Sequence, residues 1–397
     1  MKNTIRAVWP VVLVVALVLP ILAFGQVLTR DGDPVMSVTD PAKATPTGRQ
    51  KGKTPPLAAG QQVLLVAAKD GMATVSVDNP KATGMFDEYY YQLPMTALRS
   101  LPGKTKLERP AWLPSPAPAG TEARDVVAYT LNEALVVRSG QAKPRNVVRG
   151  HVVQESYALS PDGALLAYSP EEGAEIVFLP LDGKAKPWHA GADKGQTRRA
   201  TCSPDGSKLA WRAGEDILVL DWREPGAKPR TVLRELAPEA ELQGFTSNSD
   251  ALVIADGEAV SWWGLDGKKR RSLPPDTFTN EGAALGPAQY LPSPVEADLM
   301  LVAGQTRGTE AYHKWANDVS GAIYLYDAAS GSNYRLTPKN LAASNPAWSP
   351  DGKRIYFCAL PDTPPNGPHH IYRINADGSG LSDLGPGFAP RVGTRPE

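Results

Sequence analysis

Histidine and acidic side chains are the groups in this sequence that could transfer protons or bind a metal ion. His369 and His370 are adjacent at the start of a predicted strand, so their side chains point to opposite faces and are poorly placed to bind one ion. The acidic pair Glu171 and Glu172 lies in a predicted loop, where solvated charge is the simpler interpretation. These residues predict no metal site and no cofactor, and they identify no catalytic group.

Several well-known catalytic and phosphate-binding motifs do not occur in the sequence. It contains no Gly-x-Ser-x-Gly elbow, no Walker loop, no His-Glu-x-x-His and no EF-hand loop. The formal net charge of +0 argues against nucleic acid as a partner, because phosphate binding requires a basic excess or a basic face. Cys202 and Cys358 form no Cys-x-x-Cys motif and are interpreted as small apolar side chains in strands.

A Ser-Pro-Asp-Gly turn between two apolar strands recurs along the chain, as in NPAWSPDGKRIYF from Asn345. The complete turns are Ser160, Pro161, Asp162 and Gly163; Ser203, Pro204, Asp205 and Gly206; and Ser349, Pro350, Asp351 and Gly352. In such turns proline presets φ, aspartate accepts hydrogen bonds from nearby backbone N–H groups, and glycine supplies a positive φ. We therefore expect structural roles for these residues.

Degraded copies of the turn extend the repeat. The aligned serines are Ser115, Ser160, Ser203, Ser247, Ser293 and Ser349, at intervals of 45, 43, 44, 46 and 56 residues. One further step upstream reaches Asp70, inside another strand–turn–strand pattern. Each unit continues with a third and a fourth short strand, and four strands in roughly 44 residues indicate a propeller blade. We predict an all-β fold, a β-propeller of four-stranded antiparallel blades. The repeat favours seven blades, with six as the alternative because the first unit lacks the full turn motif.

The phrase WSPDGKRIYF, followed by HHIYRINADGSGLSDL, resembles the WD40-like repeat of TolB-type β-propellers. The resemblance covers about Gln61 to Gly385 and implies an exported propeller that binds a partner. TolB proteins carry an additional α/β domain before the propeller. The short segment between the N-terminal apolar run and Gln61 is not expected to form that domain. The envelope partners of TolB are therefore not expected for this chain.

The N-terminus carries a targeting signal. Lys2 and Arg6 precede an apolar run over residues 7–24. This pattern predicts either a cleaved signal peptide or a retained inner-membrane anchor at 1–25, and either one exports the chain to the periplasm or beyond. The expected division of the remaining chain is a flexible Pro/Gly/Thr-rich linker at 26–60, the propeller at 61–386 and a C-terminal tail at 387–397.

The connection between the second and third strands is long in three units, at 78–88, 304–321 and 361–369. The last blade of a ring neighbours the first, so we expect these loops to be contiguous on one face, together with the connection 274–287. Aromatic and basic side chains on such loops suit a binding patch. The candidate binding residues are Phe86, Arg307, Tyr312, His313, Lys314 and Trp315.

The predicted innermost strands, PAW, YAL, ATC, GFT, AQY and PAW, carry no charged residue and no histidine. This favours an interaction scaffold in the cell envelope, whose partner would be a protein, a peptide or a cell-wall polymer. The first alternative is a propeller enzyme, such as a lyase, lactonase or glycosidase, with its site at the channel mouth. The second is a sensor ectodomain tethered to the membrane by residues 7–24.

Overall fold

The computed structural model describes residues 27–29, 35–47, 54–78, 88–100, 110–150, 152–170, 175–191, 197–224, 226–278, 288–306, 320–338, 341–360 and 368–396. The predicted signal or anchor segment at 1–25 lies outside these ranges. Among the described residues, no helix is long and apolar enough to cross a membrane.

The N-terminal part of the chain forms a six-stranded antiparallel sheet. Its strands are β2 (Val35–Val38), β3 (Thr45–Thr47), β4 (Gln62–Lys69), β5 (Met72–Asp78), β6 (Glu88–Pro94) and β7 (Leu98–Ser100), after a short β1 (Val27–Thr29). Short 3-10 helices occupy Pro41–Lys43 and Met95–Ala97. The strand order is β3-β6-β5-β4-β2-β7, and the sheet has a hydrophobic core of its own that includes Val75 and Tyr91.

This sheet corrects two expectations. The first predicted repeat unit, around Asp70, is not a propeller blade, because its strands pair into the six-stranded sheet. The predicted linker at 26–60 supplies β2 and β3 to that sheet, and β1 pairs in parallel with the outer strand of a later blade. An independent β-sheet therefore precedes the propeller, where the sequence suggested a flexible tether.

Six blades follow, preceded by a 3-10 helix at Thr121–Arg124. Blade 1 contains β8 (Asp125–Leu131), β9 (Ala134–Ser139) and β10 (Arg145–Arg149). Blade 2 contains β11 (Val152–Leu159), β12 (Leu165–Pro170), β13 (Glu175–Pro180) and β14 (Trp188–Gly191). Blade 3 contains β15 (Thr197–Cys202), β16 (Lys208–Ala213), β17 (Asp216–Asp221) and β18 (Arg230–Leu233).

Blade 4 contains β19 (Glu241–Phe245), β20 (Ala251–Ala255), β21 (Val260–Gly264) and β22 (Lys269–Leu273), and the 3-10 helix Pro275–Phe278 follows it. Blade 5 contains β23 (Gln289–Pro292), β24 (Leu299–Thr306), β25 (Ser320–Asp327) and β26 (Ser332–Arg335), with β1 along its outer edge. Blade 6 contains β27 (Ala342–Trp348), β28 (Arg354–Leu360), β29 (His370–Asn375) and β30 (Ser382–Pro386).

The last strand of the chain closes the ring. Strand β31 (Phe388–Thr394) pairs antiparallel with β8 and becomes the innermost strand of blade 1. The segment 387–397 was expected to be a tail, and residues 110–112 were expected to form this innermost strand. The strand that pairs with β8 comes instead from the C-terminal end of the sequence, so no local pattern near β8 indicates it. The described residues therefore form six blades.

Six hydrophobic clusters join the blades, one for each pair of neighbours around the ring. Between blades 6 and 1, for example, Tyr129 and Val136 pack with Tyr356 and Ile371. A twisted four-stranded sheet has two apolar faces, and face-to-face packing of the blades in a closed ring buries both of them. The blades thus hold their inner strands as a rigid wall around a central channel.

Candidate functional site

The connections of the propeller lie at two ends. The turns between first and second strands lie at the end we call the turn end. The connections between second and third strands, and those from one blade to the next, lie at the opposite end, the crossover end. This division follows from the antiparallel order of strands within each blade.

The Ser-Pro-Asp-Gly residues form nearly identical turns at the turn end. In blade 2 the Ser160 hydroxyl donates to Asp162 Oδ1 over 2.5 Å, and the backbone N–H of Leu165 donates to Ser160 Oγ over 2.9 Å. Gly163 has a φ of 65°, in the left-handed region that favours glycine. The same contacts and conformation recur at Ser203, Asp205 and Gly206, and at Ser349, Asp351 and Gly352. Pro161, Pro204 and Pro350 lie beside the channel.

Hydrogen bonds keep the turn aspartates charged. Burial alone would raise the pKa of Asp162, but hydrogen bonds from Ser160, Ala164 and Arg223 outweigh burial and lower it. The pKa of Asp205 is lowered in the same way: burial, which is less complete than at Asp162, would raise it, but hydrogen bonds from Ser203 and Ser207 lower it. These carboxylates are engaged by their own turns, which leaves them poorly suited to act as proton-transfer groups.

The crossover end differs strongly from blade to blade. The connection from second to third strand spans 132–133 in blade 1, 171–174 in blade 2, 214–215 in blade 3 and 256–259 in blade 4. In blades 5 and 6 it spans 307–319 and 361–369. These two blades are neighbours, so the described strand ends that flank the two long connections lie at adjacent positions of the ring.

All six candidate binding residues lie outside the described part of the chain. Arg307, Tyr312, His313, Lys314 and Trp315 belong to the connection between β24 and β25. Phe86 belongs to the connection between β5 and β6 of the N-terminal sheet. Because that sheet is not a blade, the predicted contiguity of the Phe86 loop with the last blade, which assumed a seventh blade in the ring, no longer follows.

The innermost strands surround a central cavity of about 160 Å³. The sequence suggested a channel wall without charge, but Arg199 and Arg391 both line it. Strand β15 begins at Thr197, before the ATC triplet, and so includes Arg199. Arg391 was missed because it belongs to β31, the strand expected to be a tail.

Both channel arginines are held in place by their surroundings. Nη2 of Arg199 lies 2.8 Å from Glu241 Oε2, an ion pair between blades 3 and 4. The Arg391 guanidinium lies over the Tyr157 ring at 5.4 Å from its centroid, and its Nη1 donates to Pro390 O over 2.9 Å. Cys202 also lines the channel, where its thiol donates to Leu159 O, and burial raises its pKa to about 12. That thiol is therefore protonated and unreactive near neutral pH.

Two of the three histidines that the structure describes, His189 and His370, pair with carboxylates on neighbouring strands. His370 Nδ1 lies 2.8 Å from Asp383 Oδ2, and His189 Nδ1 lies 3.2 Å from Glu175 Oε2. His369 packs against Phe388, and burial lowers its pKa. Within the described ranges, no group of three or more His, Cys, Asp or Glu residues is placed to hold a metal ion.

The chain matches no protein-family model and no curated protein. Among solved structures it is similar to TolB from Acinetobacter baumannii, with 17% identity, a TM-score of 0.51, and 81% of this chain and 82% of that chain covered. A second similar structure is described as a TolB of Agrobacterium tumefaciens, with 18% identity, a TM-score of 0.46, and 69% of this chain and 99% of that one covered. At these identities the likeness concerns the fold. The chain has a TolB-like β-propeller fold.

Proposed function

We propose that this protein is an exported interaction scaffold of the cell envelope, which binds a protein partner at the crossover end of blades 5 and 6. The observation that carries the proposal is the position of the two longest second-to-third connections, 307–319 and 361–369, on neighbouring blades. Loops on a rigid scaffold are the usual carriers of binding residues. A peptide or a cell-wall polymer would be an alternative partner at the same loops.

The composition of the long connection in blade 5 supports this choice. Residues 307–319 include Arg307, Tyr312, His313, Lys314 and Trp315, and arginine and aromatic side chains are enriched among residues that dominate binding energy. The resemblance to TolB-type propellers supports a location in the envelope, and the apolar run at 7–24 supports export.

An enzyme with its site in the channel is the second candidate. Such a site needs acids or histidines that converge on the axis. The described residues that line the channel include Arg199 and Arg391 but no Asp, Glu or His. This composition supports binding over acid–base chemistry.

The binding proposal is tested by loop replacement. A variant with residues 308–319 replaced by a short Gly-Ser link is used for affinity capture from envelope extracts of the host. The matched control replaces 171–174, the equivalent connection of blade 2, with the same link. We expect the first variant to lose the captured partner and the control to retain it, with both melting as cooperatively as the unmodified protein. Equal capture by both variants would contradict the proposal.

Sequencing the mature N-terminus separates a released protein from a tethered ectodomain. A mature chain that begins at Gln26 would lack the apolar run, whereas a chain that retains residues 7–24 would support the sensor alternative.

A further inference from the structure

One level of the channel wall contains a single large cation among uncharged side chains. The strand registers place Arg391 level with Ala158, Thr201, Gly244, Leu291 and Ala347 of the other five innermost strands. All six line the cavity. Blade 4 lies opposite blade 1 in a ring of six, so the residue across the channel from Arg391 is Gly244, which has no side chain to occupy the channel at this level.

The approach to Arg391 from the crossover end is polar. In three innermost strands a β-bulge places Arg199, Asn345 and Ala389 at the same level with φ values of 48°, 51° and 53°. Bulges of this kind redirect side chains next to functional sites. Arg199, Asn345 and Gln289 line the channel at this level. The level lies two residues before that of Arg391 along the strands, which is about 7 Å at the usual strand rise.

None of the acidic residues that the structure describes pairs with Arg391. Within the described part of the chain no carboxylate lies within 4.0 Å of its guanidinium, and the described lining residues include no Asp or Glu. Its contacts there are the Tyr157 ring and the Pro390 carbonyl. A guanidinium offers five N–H donors in a planar fork that matches a carboxylate. The Thr201 hydroxyl lies at the same level and is a second donor.

We propose that the central channel binds a carboxylate group that enters from the crossover end, with Arg391 as its cationic partner and Thr201 as a second donor. A cavity of about 150 Å³ accommodates a molecule the size of benzene, so the carboxylate end of a small acid or of a peptide fits the observed volume. The inference rests on channel residues alone and does not depend on the proposed function of the long loops.

The test is titration calorimetry at low ionic strength, where screening is weakest. Succinate represents a small acid, acetyl-trialanine with a free carboxyl terminus represents a peptide end, and its C-terminal amide is the uncharged control. We expect saturable binding of at least one carboxylate and none of the amide. Binding of succinate alone identifies a small-acid site, and binding of the free peptide alone identifies a peptide-end site. No saturable binding of either, or equal binding of the amide, would overturn the proposal.

Variants locate the site. Arg391→Gln is expected to weaken binding about tenfold to a hundredfold, because a hydrogen-bonded charge partner is lost. Thr201→Val, which keeps the side-chain shape, is expected to weaken it about fivefold and does not depend on how well Arg391→Gln folds. The control Arg149→Gln changes an exposed arginine on β10 and should leave affinity unchanged. Wild-type affinity in Thr201→Val and in a folded Arg391→Gln would overturn the assignment.

The loop variant keeps this inference separate from the proposed function. With residues 308–319 replaced, carboxylate binding should remain at the wild-type level while partner capture is lost. If this variant still captures the partner, the assignment of partner binding to the long loops is overturned. If it loses carboxylate binding, the assignment of the carboxylate site to the channel is overturned.

Discussion

The two ends of the propeller differ in how far their connections vary. At the turn end, blades 2, 3 and 6 repeat one serine–aspartate hydrogen bond at 2.5 Å and one glycine with φ between 65° and 70°. At the crossover end, the equivalent connections range from 214–215 in blade 3 to 307–319 in blade 5. The comparison indicates that the turn end maintains the scaffold and that the crossover end is where the blades of this protein differ from one another.

The turn end also holds the closure of the ring. The buried Asp125 of blade 1 accepts hydrogen bonds from Arg354 Nε over 2.7 Å, Tyr356 Oη over 2.5 Å and Thr394 Oγ1 over 3.0 Å. Arg354 Nη1 also donates to Thr121 over 2.6 Å. Burial alone would lower the pKa of Arg354, but Asp125 raises it. One buried network thus joins blade 1, blade 6 and the closing strand β31.

The largest effect on stability is expected when this network loses one charge. Asp125→Ala removes the buried carboxylate partner of Arg354 and leaves only the part-exposed Asp351 at 3.4 Å, which costs about 3–5 kcal/mol of the free energy of unfolding. Urea denaturation measures the loss. The matched control is Arg270→Gln, because the Arg270–Asp250 pair is half exposed and is expected to contribute less than about 1 kcal/mol. Equal losses in the two variants would contradict the role of burial.

The next largest effect on stability is expected at the glycine of the Ser-Pro-Asp-Gly turn in blade 2. Gly163→Ala combines a positive φ with a Cβ that would lie 2.8 Å from Val126 Cγ2, so we expect a loss of about 1–3 kcal/mol. Gly183→Ala is the control, since its φ is 71° and nothing lies within 4 Å of the added Cβ. The difference between the two variants in urea denaturation isolates the contact with Val126. No difference would show that the turn can shift away from blade 1.

Acid should destabilise the turn end through its aspartates. The folded-state pKa values of Asp162 and Asp205 are lowered, so their contribution is fully present above the unfolded pKa of about 3.9 and is lost as the pH falls through the folded values. Asp162→Asn should flatten the loss of stability below about pH 4. Thermal melts from pH 3 to pH 7 measure this, with the exposed Asp221→Asn as the control. An unchanged pH profile in Asp162→Asn would contradict the assignment.

The smallest effect on stability is expected at the crossover end. Replacement of 361–367 by a Gly-Ser link should change the free energy of unfolding by less than about 0.5 kcal/mol, because loop closure depends weakly on length and surface changes are usually mild. The same variant should capture less partner, as it removes one of the two neighbouring loops. A large loss of stability would instead assign this segment to the scaffold.

The sequence predicted the propeller and its turns because both have local signals. Asp162 and Gly163 stand where a tight turn requires an acceptor and a positive φ. The first of the seven predicted units, around Asp70, was a misreading of the same signal. Asp70 and Gly71 do form a turn, but what its hairpin packs against is not encoded locally. In blade 4 the role of the turn serine belongs to Thr246, one residue before the predicted Ser247.

The closing strand and the channel cation had no local signal. Strands β31 and β8 are neighbours in the sheet, although nearly the whole propeller lies between them in the sequence. Pairing at that sequence separation is not visible in either segment alone. Arg391 was missed for this reason, and a search for the strand that completes blade 1 could have found it. The six candidate binding residues remain predictions, since all of them lie outside the described ranges.

The most direct test of the difference between the two ends is photo-crosslinking within a single blade. A photo-reactive amino acid is placed at Pro368, exposed at the crossover end of blade 6, or at Lys353, exposed at its turn end, and each protein is irradiated in envelope extract. We predict a partner adduct from position 368 and none from position 353. An adduct from position 353 alone would contradict the assignment of binding to the crossover end.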